Sequence, residues 1–437
     1  MQTQTSLESP RLIALQQAIT NGDETAISTF WQEMAEQGTP LIEPIEGDDG
    51  HRLVTFLWRA ETDLDTVIVI SDLVSYDFRD NQMTHMPDTD IWYRPYQFPA
   101  DTRSFYKLSP NGPAVHWSEI EDWGVMAENW QLDPLNPHEL VFEADDENPD
   151  SQEMRDSIIA LPDAPPQPWI TPQSDNPVGK VECHHVRSEI LDNERRVWVY
   201  TPPGYTADHD PYGLLLLFDG WDYTHVIPAP TILDNLLAGE RIPPLVAVFI
   251  DNVPGQRAIE LRFNEFFNDF LIQELLPWVR QDYHVTTDPA QTIVGGLSNG
   301  GLAAVFAALN HPTVFGNVLT QSGSFSRKPD HATEHEWLIN QFVDSPKLPL
   351  RFYQDVGVYE GWNTPGFTPN QVTSNRHFRN VLRAKGYPLH YAEYNGGHDF
   401  VNWRGTFADG LMALIDDDLR DMDAQDTINT ESLSVLI

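Results

Sequence analysis

Two rhythms of apolar and polar positions divide the chain. Between Pro10 and Gly38, Leu12, Ile13, Leu15 and Ile19, then Ile27, Phe30, Trp31 and Met34, recur at the three-to-four residue interval of an amphipathic helix. Asn21-Gly22-Asp23 interrupts that interval, so two short helices are expected. From Thr39 onward, short β-rich runs take over at 53–58, 66–70, 91–93 and 104–106, separated by turn residues, which is the spacing of a small β-sandwich. Pro134, Pro137 and then the stretch 161–169, with prolines at 162, 165, 166 and 168, cannot sustain regular structure, because each proline lacks a donor and fixes φ. The interdomain linker is placed at 161–178.

Beyond Pro177, strand-like runs at 196–201, 214–218, 245–250, 291–297, 318–321, 350–354 and 390–394 alternate with helical stretches at 263–280, 301–309 and 372–384. Strands alternating with helices predict a mostly parallel sheet covered on both faces, with chemistry at the strands' C-terminal ends. The expected organisation is a helical lead-in over 1–38, a β-sandwich over 39–160, the linker, and an α/β catalytic domain over 179–437.

Composition narrows the function classes. A formal net charge of −40 argues against nucleic acid or an anionic membrane as partner, since both need clustered Lys and Arg. Acidic runs such as Asp145-Asp146-Glu147 and Asp416-Asp417-Asp418 lack calcium-loop spacing and read as solvated surface, so no metal site is expected. No apolar run approaches the roughly 20 residues that cross a bilayer. The polar residues from Met1 to Arg11 carry no signal-peptide pattern, and the single cysteine, Cys183, can make no internal disulfide. The expected location is cytoplasmic.

Chemistry concentrates in 293–303, where a buried-strand pattern enters Gly296-Leu297-Ser298-Asn299-Gly300 and then an alanine-rich helix. A sharp strand-to-helix turn brings backbone too close for a Cβ at the flanking glycines, lifts Oγ of Ser298 out of the sheet, and aims the helix N-terminal N–H groups at the same spot. A serine hydroxyl needs a base. His398 is the candidate, because it follows the strand at 390–394 through Asn395-Gly396-Gly397 and fits the order serine, acid, histidine of α/β-hydrolases. His284, His311, His377 and His390 lie in or beside regular elements and read as structural. The acid belongs after the strand at 350–354, where Glu360 is preferred to Asp355 because Gly357-Val358-Tyr359 supplies a turn first; a serine–histidine pair without a strong acid is the third option. Oxyanion donors are expected from the N–H groups of Asn299 and of Trp221, which follows Phe218-Asp219-Gly220.

Taken together, these residues resemble the enterochelin esterases, α/β-hydrolases that open the triester ring of ferric catecholate siderophores. The likeness runs through Thr39-Pro40-Leu41, Phe56-Leu57-Trp58-Arg59, Asp133-Pro134-Leu135-Asn136-Pro137 and the proline-rich linker. It continues through Leu217-Phe218-Asp219-Gly220, Arg257-Ala258-Ile259-Glu260-Leu261, Glu274-Leu275-Leu276-Pro277, Gln321-Ser322-Gly323-Ser324, Gly396-Gly397-His398-Asp399 and Trp403-Arg404-Gly405. Around the elbow, Leu297 and Asn299 depart from the more usual His or Gln and aromatic residues. The resemblance implies Ser298 as nucleophile, His398 as base and Glu360 as acid, an N-terminal sandwich of the same family, and a small-molecule ferric siderophore as substrate. It implies no cofactor, since iron arrives within the substrate, and no protein partner. A ferric tris-catecholate is a trianion, so Arg257 and Arg404 are expected to bind it, with Trp403, Trp221 and Glu260 beside them. Two other readings are a feruloyl or acetyl esterase acting on carbohydrate and a non-catalytic siderophore binder.

Overall fold

The computed structural model describes residues 8–148, 151–208, 210–361 and 369–415; residues 1–7 and the Asp416-Asp417-Asp418 run lie outside them. Chain contacts group the protein into two units, Met1–Pro165 with Asn395–Asn402, and Pro166–Tyr394 with Trp403–Ile437.

The first unit begins with the two expected helices, Pro10–Thr20 and Ala26–Gln37. The first is started by Ser9, whose side chain accepts from the Leu12 N–H, with Pro10 at a position where a missing donor costs nothing. Eight strands follow: β1 (Leu41–Ile45), β2 (Asp48–Arg59), β3 (Val67–Ile70), β4 (Thr84–His85), β5 (Ile91–Pro99), β6 (Arg103–Pro110), β7 (Glu139–Phe142) and β8 (Met154–Ala160). They form two antiparallel sheets, ordered β1-β2-β5-β4 and β3-β6-β8-β7. Phe56 of β2 and Tyr106 of β6, both fully buried, meet with ring centroids 4.8 Å apart and join the two sheets as a sandwich. Leu12, Leu15, Phe30, Trp31 and Met34 from the helices pack with Leu41, Leu57 and Ile91 of the first sheet and with Met86, which directly follows β4. Asp133 anchors the proline-flanked turn that follows, accepting from Thr39 Oγ1 and Tyr106 Oη at 2.7 Å each.

The second unit holds β9 (Lys180–Ser188), β10 (Asn193–Thr201), β11 (Gly213–Phe218), β12 (Leu245–Ile250), β13 (Thr292–Leu297), β14 (Asn317–Gln321), β15 (Arg351–Gly357) and β16 (Leu389–Tyr394). Their order is β16-β15-β14-β13-β11-β12-β10-β9, parallel from β16 to β12, with β10 antiparallel to both β12 and β9 at one edge. All the residues of β12 and β13 are buried, as expected where helices cover both faces of a parallel sheet. Every expected strand is present. β9 was not foreseen, because Lys180-Val181-Glu182-Cys183-His184-His185 is a mostly polar edge whose backbone is satisfied by β10.

Three helices of eight or more residues in this unit were also unforeseen: Ala229–Ala238, Trp337–Asp344 and Phe400–Ile415. The last carries Gly405 and Gly410, which weaken a helical reading of the sequence; a Cβ at Gly410 would stand 2.8 Å from the Tyr353 ring. The helical stretch expected at 263–280 is realised as Glu265–Phe270, a wider π-turn Leu271–Leu275, and Leu276–Asp282 with Pro277 in its first turn. The wider turn spares the hydrogen bond that the proline cannot donate.

Candidate active site

β13 ends at Leu297 and the helix Asn299–Asn310 begins immediately after, so Ser298 alone makes the turn, with φ 55° and ψ −116°. A serine pays strain to sit there. The flanking glycines are required by contact: a Cβ on Gly296 would lie 2.6 Å from the Gly300 carbonyl carbon, and one on Gly300 would lie 2.8 Å from Asp219 Oδ2. The Ser298 N–H donates to Gln321 O at 2.8 Å, which ties the turn to the neighbouring strand. Its carbonyl accepts from the Ser324 N–H at 3.0 Å, and the two hydroxyl oxygens are 3.4 Å apart. Asn299, in the first turn of the helix, presents an N–H that the helix itself cannot satisfy.

The ends of β14 and β15 supply a second polar cluster. Ser322, at φ 48°, donates its N–H to Asp355 O at 3.0 Å and Oδ1 at 3.2 Å. Its hydroxyl donates to Glu360 Oε1 at 2.6 Å, accepts from Trp403 Nε1 at 3.1 Å, and lies 3.1 Å from Tyr394 Oη. Glu360 is on the turn after β15 and also accepts from the Gly357 N–H at 2.8 Å, so one carboxylate oxygen is held twice. Asp355 is inside β15 and fully buried. Burial, with the Glu360 charge adding to it, pushes its carboxyl up to about 7.

At the end of β11, buried Asp219, at φ 58°, accepts both Nε and a terminal nitrogen of Arg257, at 2.6 and 2.8 Å, and Asn252 Nδ2 at 2.7 Å. Burial alone would lower the Arg257 pKa, but the charge and hydrogen bonds of Asp219 outweigh it and leave it raised. Burial, and then the Asp219 charge, push the neighbouring Asp222 up to about 7. The Trp221 N–H lies 3.4 Å from Asp251 Oδ1, and its ring stacks on His225 with centroids 3.6 Å apart.

His398 sits on the loop that groups with the first unit. Its N–H donates to Asp72 Oδ2 at 2.8 Å, and the same loop is held by the Arg103 N–H on Asn395 O at 3.0 Å and by Ser104 Oγ on Asp399 Oδ2 at 2.8 Å.

Comparison with known proteins bears on what this arrangement is. A family model named Esterase matches residues 188–414, and one described as enterochelin esterase, N-terminal, matches residues 53–170. The iron(III) enterobactin esterase of Dickeya dadantii is 30% identical over 418 residues, 89% of this chain and 93% of that one. The chain belongs to the iron(III) enterobactin esterase family. The iron(III) salmochelin esterase of Escherichia coli is 27% identical, covering 92% of this chain and 97% of that one. The ferric enterobactin esterase of Salmonella typhimurium superposes with a TM-score of 0.73 at 28% identity, over 90% of this chain and all of that one. The Shigella flexneri enterobactin esterase, solved in the presence of enterobactin, superposes with a TM-score of 0.71 at 28% identity, over 88% of this chain and 97% of that one.

In this esterase several residues expected at the substrate are committed elsewhere. Trp403 is buried and spends its indole N–H on Ser322, so it is core and offers no exposed face to a catechol. Glu260 is buried against Arg195, at 2.7 and 3.0 Å, and not against Arg257; the Arg195 guanidinium also lies over the Phe267 and Phe270 rings. Arg257 is neutralised by Asp219, and Arg404 donates to Gln167 Oε1 at 2.9 Å. Sequence reasoning gave no role to Ser322 or Asp219, although both carried a signal as polar residues directly after buried strands of a parallel sheet.

Proposed function

We propose that this esterase hydrolyses the ester bonds of a trilactone catecholate siderophore carrying iron(III). The observation that carries the reading is the strained Ser298 at the strand-to-helix turn, in a chain whose two family matches together span the sandwich and the α/β unit. The second match weighs against a carbohydrate-ester substrate. Ser298 Oγ attacks a lactone carbonyl while His398 takes its proton, and the N–H groups of Asn299 and Trp221 hold the oxyanion. The weak 3.4 Å contact from Trp221 to Asp251 is readily exchanged for that stronger acceptor. His398 then returns the proton to the leaving seryl oxygen, and water, deprotonated by the same imidazole, releases the acyl group and regenerates Ser298.

Glu360 is the acid that orients His398. It stands past the strand with a fixed carboxylate, whereas Asp355 is enclosed in β15 and held toward its protonated form. The reaction requires no cofactor of the protein's own, and iron enters as cargo of the substrate. Action in the cytoplasm fits a chain with a single cysteine. Among the described residues no helix is long and apolar enough to cross a membrane.

The test is hydrolysis of a ferric trilactone by wild type and Ser298→Ala, with labelling by a serine-reactive phosphonate. Loss of at least 10⁴-fold in kcat, and labelling at Ser298 alone, are expected. Undiminished turnover by the variant refutes the mechanism.

A further inference from the structure

Resting on the reading above in which Glu360 is the acid, we infer that Ser322 is a positioning residue for the hydrolysis. Its hydroxyl pins one oxygen of the Glu360 carboxylate and so fixes the orientation in which that carboxylate serves His398.

Backbone geometry singles Ser322 out. Its φ of 48° lies in the left-handed region, where a side chain costs conformational energy that glycine does not. Gly323 is the very next residue, yet the one in the strained conformation carries a hydroxyl. Such strain persists only where the surroundings over-determine it. Here the Ser322 N–H donates to Asp355 O and Oδ1, its carbonyl accepts from Gln371 Nε2, and the Gly323 carbonyl accepts from Asn375 Nδ2 at 2.9 Å. Strand β15 therefore grips one side of the turn and the start of the helix Gln371–Ala384 grips the other.

The side chain is equally committed. A hydroxyl has one proton and two lone pairs. The shortest of its three contacts, 2.6 Å to Glu360 Oε1, has the length of a charge-assisted bond and takes the proton. Trp403 Nε1, which can only donate, fills one lone pair at 3.1 Å, and Tyr394 Oη, also at 3.1 Å, is left to donate to the other. Two donors feeding the hydroxyl strengthen the bond it passes on, because linked hydrogen bonds polarise one another. Ser322, Trp403 and Glu360 are all buried, so bulk water does not compete for these bonds.

Glu360 needs such a hold because of where it sits. It lies on the short turn Val358–Gly361 after β15, and the Gly357 N–H, at 2.8 Å, grips the same oxygen from the strand end. One donor thus comes from the end of β14 and one from the end of β15, and their convergence on Oε1 stops the carboxylate from turning. That assigns Oε2 to the imidazole. An acid that orients a histidine must itself be held by its neighbours, or the imidazole is productively aligned for only part of the time.

The test is a double-mutant cycle. Ser322→Ala, Ser322→Gly, Ser322→Thr, Glu360→Gln and the double variant Ser322→Ala with Glu360→Gln are compared with wild type in kcat and KM on p-nitrophenyl butyrate and on the ferric trilactone, with Tm measured for each. Ser322→Ala and Ser322→Gly should each lower kcat about tenfold on both esters, as for loss of one hydrogen bond to a charged group, with KM within about twofold. The glycine variant, relieved of the positive-φ cost, should do so while melting no lower than the alanine variant. Ser322→Thr keeps the hydroxyl but adds a methyl group to a strained, buried site, so it should melt below wild type and yet keep kcat within about threefold of it. In the Glu360→Gln background, Ser322→Ala should add less than about threefold, because the group it acts through is already disabled. Equal losses from Ser322→Ala in both backgrounds, or a threonine variant as slow as the alanine one, show a role in packing alone and overturn the inference. Unchanged kcat in the glycine variant overturns it as well. Wild-type kcat in Glu360→Gln removes Glu360 as the acid, and this inference with it.

Discussion

Replacing Gly296 by alanine tests whether the elbow depends on the absence of one atom. The added Cβ would stand 2.6 Å from the Gly300 carbonyl carbon, 2.8 Å from its oxygen and 2.9 Å from its Cα. All three are backbone atoms of the helix that carries Asn299, so no side chain can turn aside. Restoring ordinary contact at 3.4 Å requires the strand end and the helix start to part by about 0.8 Å. Overpacking of this kind costs about 3 kcal/mol, the upper part of the usual range, because backbone must move. For a unit of this size that is a fall in Tm of about 6–12 °C. The same shift moves Ser298 Oγ relative to the Asn299 N–H, and displacements near 1 Å at reacting groups cost about 10²-fold in rate.

Gly213→Ala is the control, since its Cβ would meet nothing closer than 3.5 Å and should cost less than about 1 kcal/mol. Calorimetry and p-nitrophenyl butyrate turnover read both effects. A Gly296→Ala protein melting within 2 °C of wild type, with kcat within about threefold, would show that the elbow does not need the space assigned to it.

Glu260→Gln leaves Arg195 buried beside a neutral partner, so chemical denaturation should show a loss of about 3 kcal/mol while KM for the ferric trilactone stays unchanged; a raised KM at unchanged stability would return Glu260 to the substrate. Glu360→Gln should lower kcat by about 10²-fold or more, and Asp355→Asn by less than about tenfold, in steady-state assays at pH 8; the reverse order would make Asp355 the acid. Stability should also depend on pH through Asp355. Its folded pKa of about 7 lies above the unfolded value, so the folded chain keeps a proton that the unfolded chain sheds. The resulting loss of stability begins near pH 4, grows as pH rises toward 7, and levels off above. Asp355→Asn should therefore flatten the decline in Tm between pH 5 and 8, and an unchanged slope would count against a raised pKa.

The elbow was legible because its causes are local. Two glycines, an apolar strand and an alanine-rich helix lie within about a dozen residues, and backbone crowding at such a turn follows from geometry alone. The parallel sheet was legible for a similar reason, since all-apolar runs separated by helical stretches leave few other arrangements. The edge strand β9 escaped because polar alternation on an outer hairpin looks like a loop until β10 is seen pairing with it. Helix Phe400–Ile415 escaped because its glycines make close contacts with side chains such as Tyr353, distant in sequence.

Sequence alone therefore determined the two architectures, the setting of Ser298 at its strand-to-helix turn and the set of available acids and bases, all consequences of short-range periodicity and steric limits. Tertiary structure decided the partners. Arg257 could have paired with Glu260 three residues away, but it reaches Asp219, and Glu260 turns to Arg195. Trp403 could have been a binding surface, yet it fills the core. The loop bearing His398 follows β16 in the chain but is held through Asp72, Arg103 and Ser104 of the first unit. Charges and aromatic faces act over a few ångströms of space, whatever their separation along the chain, and only the folded backbone sets those distances.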